Sequence, residues 1–329
     1  MKPITKYILL IISTGAALFI ACTKQPPQGY LGNKFFYLSS PFVGVKGRVT
    51  ISAAPLQVDN SSLPITVNLV ALRSSSAAGK PTDALTKTYE IPIFLGEVTP
   101  ADSTPELLAK KLGTAQYKPF NVNSNGGRLE LTPATAYVDT GTYDFDIEVK
   151  NIRASKIIKS VAKIQINPSA PFQLIRQFAN SSAPNQETVF TTQAAFTTTA
   201  VRSDGPNKII IRFVDKNGAT FNPKTGQVFP RVSTPANLRY EFKQYAPYYA
   251  EEKTDTALVY KYPDKVPNFP LYLLNNAYLV SYRIPAANND LNVNINPEFS
   301  IRLWPTDGVP YVSGTWTITN TINFAVKLP

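Results

Sequence analysis

The residue with the most distinctive chemistry is Cys22, whose thiol is the only soft nucleophile in this 329-residue chain. It follows an apolar run over residues 7–21, which two lysines, Lys2 and Lys6, precede. Early lysines, a run of this length and a small residue at its end are typical of a secretory signal peptide. A membrane-spanning helix would need about 20 apolar residues. The pattern therefore predicts a signal peptide over residues 1–21.

The stretch Phe19-Ile20-Ala21-Cys22 resembles a bacterial lipobox, in which the cysteine is lipidated and becomes the first residue of the mature protein. Phe19 stands where Leu is usual, whereas the small Ala21 fits the motif. The resemblance implies a lipid anchor at Cys22, followed by a tether over residues 22–36. Thr23 rather than Asp follows the cysteine, which resembles outer-membrane sorting and leaves the periplasmic or cell-surface side open. An ordinary signal peptide with an incidental cysteine is the alternative.

Histidine is absent from the sequence. Its absence removes the usual zinc and copper ligand, the usual general base near neutral pH, and every nucleophile system that relies on histidine. We therefore predict a non-enzymatic protein with no catalytic residue, no metal site and no cofactor. A glycosidase that uses a pair of carboxylates remains chemically possible, but no such pair stands out in the sequence.

Tyrosines are concentrated between residues 240 and 282. Tyr245, Tyr248 and Tyr249 lie beside prolines and acidic residues in a segment that reads as a loop. An exposed tyrosine offers a flat apolar face and a polar tip, which suits stacking on a sugar ring. One hypothesis is therefore a carbohydrate platform built from these three rings. The alternative is that the rings pack under a long loop.

Two further groups are candidates for binding. Trp304 ends an alternating strand just before a proline, so its ring could face a ligand or, like Trp316, belong to the core. Glu251, Glu252 and Asp255 form the densest acidic cluster, which predicts a solvated loop or, alternatively, a contact with a cation or a substrate.

The formal net charge is +11. For an exported, lipid-anchored protein, a basic balance favours anionic lipid head groups or acidic glycans as partners over nucleic acid. A solvated basic surface without a partner is equally compatible with this charge.

Apolar and polar residues alternate with period two over much of the chain, as in residues 143–149 and 315–328. Strands of this kind are apolar on one face and polar on the other, which antiparallel sheets with one wet face require. The sequence therefore predicts an all-β fold. One short helix is expected where Ser103-Thr104-Pro105-Glu106 resembles a capping box with an early proline.

Asp139-Thr140-Gly141-Thr142-Tyr143 resembles the tyrosine corner of immunoglobulin-like sandwiches, in which the Tyr hydroxyl bonds back to the preceding backbone. The resemblance implies an immunoglobulin-like β-sandwich over residues 37–168, with Asp139, Gly141 and Tyr143 in structural roles. The proline-rich stretch 167–171 predicts a short stiff connector. A second antiparallel domain, a sandwich or jelly roll, is predicted over residues 172–329, with strands over 219–229 and 237–245 among its elements.

The N-terminal pattern Gly29-Tyr30-Leu31, then Tyr37, then Pro41-Phe42 resembles a family of uncharacterised Bacteroidetes lipoproteins. Members of that family resemble accessory lipoproteins of SusC/SusD-like glycan uptake systems. The resemblance implies an outer-membrane lipoprotein that binds a polysaccharide and associates with an outer-membrane transporter complex. A structural or adhesion subunit of an envelope complex is the alternative, and a carboxylate-based glycosidase is a third hypothesis.

Overall fold

A computed structural model describes residues 29–75, 80–186, 189–192, 196–231, 240–274 and 279–329. The chain is nearly all β, as the alternation predicts. Within the described residues, no helix has both the length and the apolar character needed to cross a bilayer.

The first sandwich is built from the strands that precede the proline-rich connector. Its elements, in chain order, are β1 Phe42–Val45, β2 Thr50–Ile51, β3 Thr66–Ser74, β4 Lys80–Pro81, β5 Tyr89–Phe94, helix α1 Pro105–Ala109, β6 Leu112–Tyr117, β7 Phe120–Val122, β8 Leu129–Leu131, a 3-10 helix Pro133–Tyr137, β9 Gly141–Lys150 and β10 Ser155–Asn167. A five-stranded sheet, β1-β10-β9-β3-β4, packs on a three-stranded sheet, β2-β8-β7, while β5 and β6 form a separate hairpin.

The core of the first sandwich lies between these two sheets. Phe145 of β9 and Phe120 of β7 meet edge to face, with ring centres 5.2 Å apart. The alternation along β9 points Tyr143, Phe145, Ile147 and Val149 into this core. Most strand pairs are antiparallel, and β1 pairs parallel with β10.

The β5–β6 hairpin carries an excursion, residues 95–111, that reaches the second core. Thr104 caps helix α1 through its side chain, which accepts from the Leu107 N–H at 3.3 Å. The predicted helix is thus present, with Thr104 as its cap. Val98 and Leu108 are buried among residues from the second half of the chain. The domain bounds 37–168 and 172–329 therefore remain a prediction. The excursion belongs to the first range by sequence but packs in the core of the second.

The second sandwich follows the connector, since β10 ends at Asn167 and the next strand begins at Phe172. Its elements are β11 Phe172–Ser182, β12 Thr191–Thr192, β13 Thr197–Ser203, β14 Lys208–Asp215, β15 Phe229–Pro230, helix α2 Phe242–Tyr245, β16 Glu252–Lys253, β17 Leu258–Lys261, β18 Leu279–Arg283, a 3-10 helix Ala286–Asn288, β19 Asn294–Leu303 and β20 Thr315–Ile322. The sheets β12-β11-β19-β18-β15 and β13-β20-β14-β17-β16 enclose the second core.

Large aromatic side chains fill the second core between its two sheets. Phe213 of β14 lies 4.9 Å from Tyr282 of β18 and 6.3 Å from Phe299 of β19, measured between ring centres. Trp316 is buried here as well. Strands β14 and β20 pair in parallel, whereas β13 pairs antiparallel with β20, and β17 pairs antiparallel with β14.

Candidate functional site

The tyrosine-rich segment is largely core. Tyr245 is fully buried and Tyr248 is 4% exposed, so neither ring offers a face to a ligand. The three-ring platform expected from the sequence is therefore not formed. Tyr245 belongs to helix α2 and faces Tyr240 and Tyr272, with ring centres 6.3 Å away in both cases. These rings pack in the core of the second sandwich, so Tyr245 and Tyr248 are buried rather than presented to a ligand.

The excursion from the first sandwich contributes to this burial. Asp102, which is paired with Lys111 at 3.1 Å, belongs to this excursion, and its charge acts on Tyr248 and Tyr272. Burial first, and then the Asp102 charge, raise the pKa of Tyr272 to about 12. Burial likewise raises the pKa of Tyr248 far above its ordinary value. Both phenols thus stay neutral and serve packing.

Tyr249 is the exposed member of the predicted platform, at 39%. Two members of the acidic cluster beside it are paired with lysines: Glu251 lies 3.8 Å from Lys253, and Asp255 lies 3.5 Å from Lys224. Across the part of the chain that the structure describes, no group of three or more potential metal ligands comes together.

The corner motif has the geometry that the sequence implies. The Tyr143 hydroxyl donates to the Asp139 carbonyl oxygen at 2.8 Å. Gly141 begins β9 with a φ of 144°, a conformation that favours glycine. Cys22 and the signal sequence lie outside the described residues, so the lipidation prediction stays a prediction.

Trp304 lies in a cleft of about 650 Å³ between the two sandwiches. Ligand sites commonly enclose about 300–1,000 Å³. The first sandwich contributes the β1–β2 loop, β5, the end of β6 and β8, and the second contributes the end of β19 and the loop around residue 268. The walls combine aromatic, aliphatic and polar side chains, including Ile93, Phe94, Tyr117, Glu130, Asn268 and Trp304.

Bonds between the sandwiches hold the two sides of the cleft together. The Gly308 N–H donates to the Ala136 carbonyl at 3.0 Å, and the Lys46 ammonium lies 3.6 Å from the Asp307 carboxylate. The Trp304 backbone N–H donates to the Pro171 carbonyl at 2.8 Å, which fixes the end of β19 to the connector. The backbone at Trp304 is therefore held beside the connector at the cleft wall.

Two arginines pack on the Trp304 ring. The guanidinium carbon of Arg48 lies 4.4 Å and that of Arg302 lies 4.0 Å from the ring centre. Such contacts are attractive because the ring face is negative. Burial first, and then the positive charge of Arg302, lower the pKa of Arg48. The indole N–H donates to Gln173 at 3.2 Å. The cleft therefore combines an aromatic wall with two concentrated cations.

A polar groove of about 520 Å³ adjoins the cleft, because Glu130 lines both. The groove is lined by amide, hydroxyl, guanidinium and carboxylate groups, with one apolar side chain: Ile51, Asn121, Asn123, Ser124, Arg128 and Glu130. The Asn121 amide donates to Glu130 at 3.3 Å. Cleft and groove thus form one track on the surface of the molecule.

Sequence reasoning identified one residue of this track, Trp304, and missed Arg48, Tyr117 and Glu130. These residues lie far apart in the sequence on separate strands and loops. Tyr117 and Glu130 each sit in a strand with ordinary alternation. They come together only where the two sandwiches pack around the cleft, so the sequence carries no local sign of them.

Comparison with known proteins adds distant likenesses only. No protein-family model matches the chain, and no curated protein does. Among solved structures, one likeness is to an endo-fucoidan hydrolase from glycoside hydrolase family 107, at 10% identity and a TM-score of 0.22. Another is to a SusE-like surface-located polysaccharide-binding protein from the Bacteroides thetaiotaomicron heparin utilisation locus, at 8% identity and a TM-score of 0.25.

These matches cover 91% and 88% of this chain, respectively. The chain spans 30% of the length of the hydrolase and 53% of the length of the binding protein. The resemblance to uncharacterised Bacteroidetes lipoproteins therefore stays a prediction.

Proposed function

We propose that the protein is a non-enzymatic, lipid-anchored polysaccharide-binding protein of the outer membrane, and that the cleft at Trp304 is its glycan site. The observation that carries the proposal is the joining of an aromatic cleft to a polar groove. Phe94, Tyr117 and Trp304 line the cleft, and Glu130 lines both the cleft and the groove.

Sugar rings require the two kinds of surface that this track combines. Their C–H faces pack on aromatic rings such as that of Tyr117, and their hydroxyls exchange hydrogen bonds with amides, carboxylates and guanidinium groups, including the two that lie over the Trp304 ring. Asn121, Asn123 and Arg128 supply such partners in the groove. A track longer than one pocket fits a polymer better than a single small molecule.

The anchor completes the proposal. Lipidation of Cys22 would hold the two sandwiches at the outer membrane, where a bound polysaccharide could pass to a transporter complex. This part rests on the lipobox resemblance and on the implied link with SusC/SusD-like systems. Replacing Cys22 by Ser should abolish incorporation of a labelled fatty acid and release the protein from the membrane fraction.

Affinity electrophoresis through gels that contain single polysaccharides tests glycan binding. We expect at least one polysaccharide to retard the protein, and we expect Trp304→Ala and Tyr117→Ala to weaken that binding about tenfold or more. Truncating an aromatic anchor in a binding site often costs at least about 2 kcal/mol. Tyr249→Ala is the matched control, because Tyr249 is exposed outside the cleft.

Three outcomes would contradict the proposal. If Tyr249→Ala abolishes binding and Trp304→Ala does not, the site lies at the tyrosine-rich segment. If no polysaccharide retards the protein and it co-purifies with an envelope protein, the structural or adhesion role is favoured. Release of reducing sugar ends would favour a carboxylate-based glycosidase. Thermal melting of each variant shows whether loss of binding reflects loss of fold.

A further inference from the structure

The described chain begins at one end of the first sandwich, where its first residues are fixed in place. The Tyr30 N–H donates to the Ser62 hydroxyl at 3.1 Å, and the Ser62 N–H donates back to the Tyr30 carbonyl at 2.8 Å. The Asn151 side-chain amide donates to the same carbonyl at 3.2 Å. Tyr30 therefore joins the loop before β3 to the turn between β9 and β10.

Exposed apolar side chains gather at this end. Leu63 is 75% exposed, Ile152 is 70% exposed and Tyr30 is 37% exposed. Leu63 follows Ser62 and Ile152 follows Asn151, so each lies one residue from a group bonded to Tyr30. Single exposed apolar residues are ordinary on protein surfaces. Here three of them lie together where the chain leaves the sandwich.

Basic side chains surround this apolar group. Lys150 and Arg153, which flank Ile152, are exposed, and the Arg153 side chain packs against Gly29. Lys34 is exposed on the same segment as Tyr30, where its backbone N–H donates to the carboxylate of Asp59. The described charges here are thus mainly positive, with Asp59 and, beside Lys150, Glu148 as negative neighbours. Apolar tips flanked by lysine and arginine suit the surface of an anionic bilayer.

The length of the chain before Gly29 limits how far this end can be from a membrane. Six residues separate Cys22 from Gly29, and an extended chain spans at most about 3.3–3.6 Å per residue. A lipid on Cys22 would therefore keep Gly29 within about 25 Å of the bilayer surface. A tethered surface meets the bilayer at high effective concentration, so weak contacts suffice to hold it there.

We propose that Tyr30, Leu63 and Ile152, with Lys150 and Arg153, form a membrane-contact face that rests on anionic lipid. The proposal rests on the anchor at Cys22, and it does not depend on glycan binding. It implies that the first sandwich is held against the membrane by this end. A lipid surface is favoured over a protein partner because the chain that leads to the anchor starts from this same group of side chains.

Cys22 is the only thiol of the chain, so a second cysteine can be labelled selectively once lipid blocks the first. We would prepare the lipidated protein with Leu63→Cys or Ile152→Cys, attach an environment-sensitive dye and add vesicles of phosphatidylcholine and phosphatidylglycerol. Val201→Cys is the matched control, because Val201 is 66% exposed on β13 of the second sandwich. Flotation of the vesicles and glycan retention are measured on the same samples.

The expected result is a blue-shifted emission at positions 63 and 152 that a lipid-phase quencher reduces, with neither effect at position 201. Lys150→Glu with Arg153→Glu should reduce the shift on anionic vesicles. Flotation with unshifted emission at 63 and 152 would overturn the membrane-contact face alone. Failure of all variants to float would overturn the anchor together with this face. A shift that requires added envelope protein would assign the face to a protein partner and overturn the proposal. Glycan retention is expected to be unchanged throughout.

Discussion

Tyr143 shows how one hydroxyl stabilises the first sandwich. It donates to the Asp139 carbonyl at 2.8 Å from a buried ring at the start of β9. A typical intramolecular hydrogen bond contributes about 1 kcal/mol to stability. Tyr143→Phe should therefore lower the free energy of unfolding by about 1 kcal/mol, measured by urea denaturation. Tyr249→Phe, at an exposed ring, should leave the midpoint unchanged, and equal losses in the two variants would contradict the assigned role.

Glu298 forms a buried ion pair inside the second sandwich. Its carboxylate lies 3.7 Å from the Arg231 guanidinium, and both side chains are buried. Removing one partner of a buried ion pair leaves the other charge without compensation, which costs about 3–5 kcal/mol. We expect Glu298→Ala to lose that much stability in chemical denaturation. Glu252→Ala, at an exposed position, should change stability by less than about 0.5 kcal/mol. A similar small loss at 298 would show that the pair is not a stabilising contact.

At the scale of the element, Asp146 of β9 holds an irregularity in β10. The pairing of β9 and β10 shifts between Ile158 and Ala162, and Ser160 has a φ of 48° in this bulge. The Asp146 carboxylate accepts the Ser160 N–H at 2.7 Å and two bonds from Arg73. One side chain thus replaces the ladder bonds that the bulge interrupts.

This arrangement makes part of the stability depend on pH. The Arg73 hydrogen bond, followed by the Ser160 N–H and nearby positive charges, lowers the pKa of Asp146 despite partial burial. The stabilisation is complete above the unfolded pKa, about 3.9, and is lost as pH falls through the lower folded pKa. Asp146→Asn should therefore be less stable near neutral pH, with a difference that shrinks in acid. Denaturation across pH 2 to 7 measures this, with the exposed Asp59→Asn as control. A constant difference across the range would contradict it.

Strand elements could be predicted where one face is buried and the other is wet. Residues 143–149 alternate clearly, and β9 spans Gly141–Lys150. The strand predicted over 219–229 is wrong, because turns occupy most of it and β15 begins only at Phe229. Within the strand predicted over 237–245, Phe242–Tyr245 form helix α2, where a capping box overrides the aromatic β propensity. Short aromatic runs are ambiguous between buried strand and buried helix.

At the scale of the whole molecule, the site depends on contacts that no local pattern encodes. The loop-like composition predicts a platform of Tyr245, Tyr248 and Tyr249, but tertiary packing buries Tyr245 and Tyr248. Trp304 could be named because it is rare and ends a strand, whereas Arg48 and Glu130 are ordinary residues until the sandwiches meet around the cleft. Chemistry carried by residue type is visible in a sequence, and chemistry created by juxtaposition is not.

The excursion from the β5–β6 hairpin makes a further prediction about how the two sandwiches depend on each other. Leu108 is fully buried in the second core, whereas its neighbour Leu107 is 38% exposed on the same helix. Truncating a buried leucine costs about 2–5 kcal/mol because transfer energy is lost and a cavity remains. We expect Leu108→Ala to destabilise the protein by that amount, and Leu107→Ala to cost less than about 1 kcal/mol, measured by thermal and chemical denaturation.

Tyrosines of the second sandwich should also respond directly to the loss of the Leu108 side chain. Because the excursion packs beside Tyr248 and Tyr272, Leu108→Ala should increase the solvent exposure of these phenols, seen by ultraviolet titration of tyrosine at alkaline pH. Tyr272, held at a pKa of about 12 by burial in the folded protein, would then titrate closer to the ordinary phenol value. If Leu108→Ala and Leu107→Ala give the same stability and the same titration, the excursion is not part of the second core. The expected difference would instead mean that residues 172–329 complete their core with residues that precede them in the chain, so separating the sandwiches at the connector would expose apolar surface on the second one.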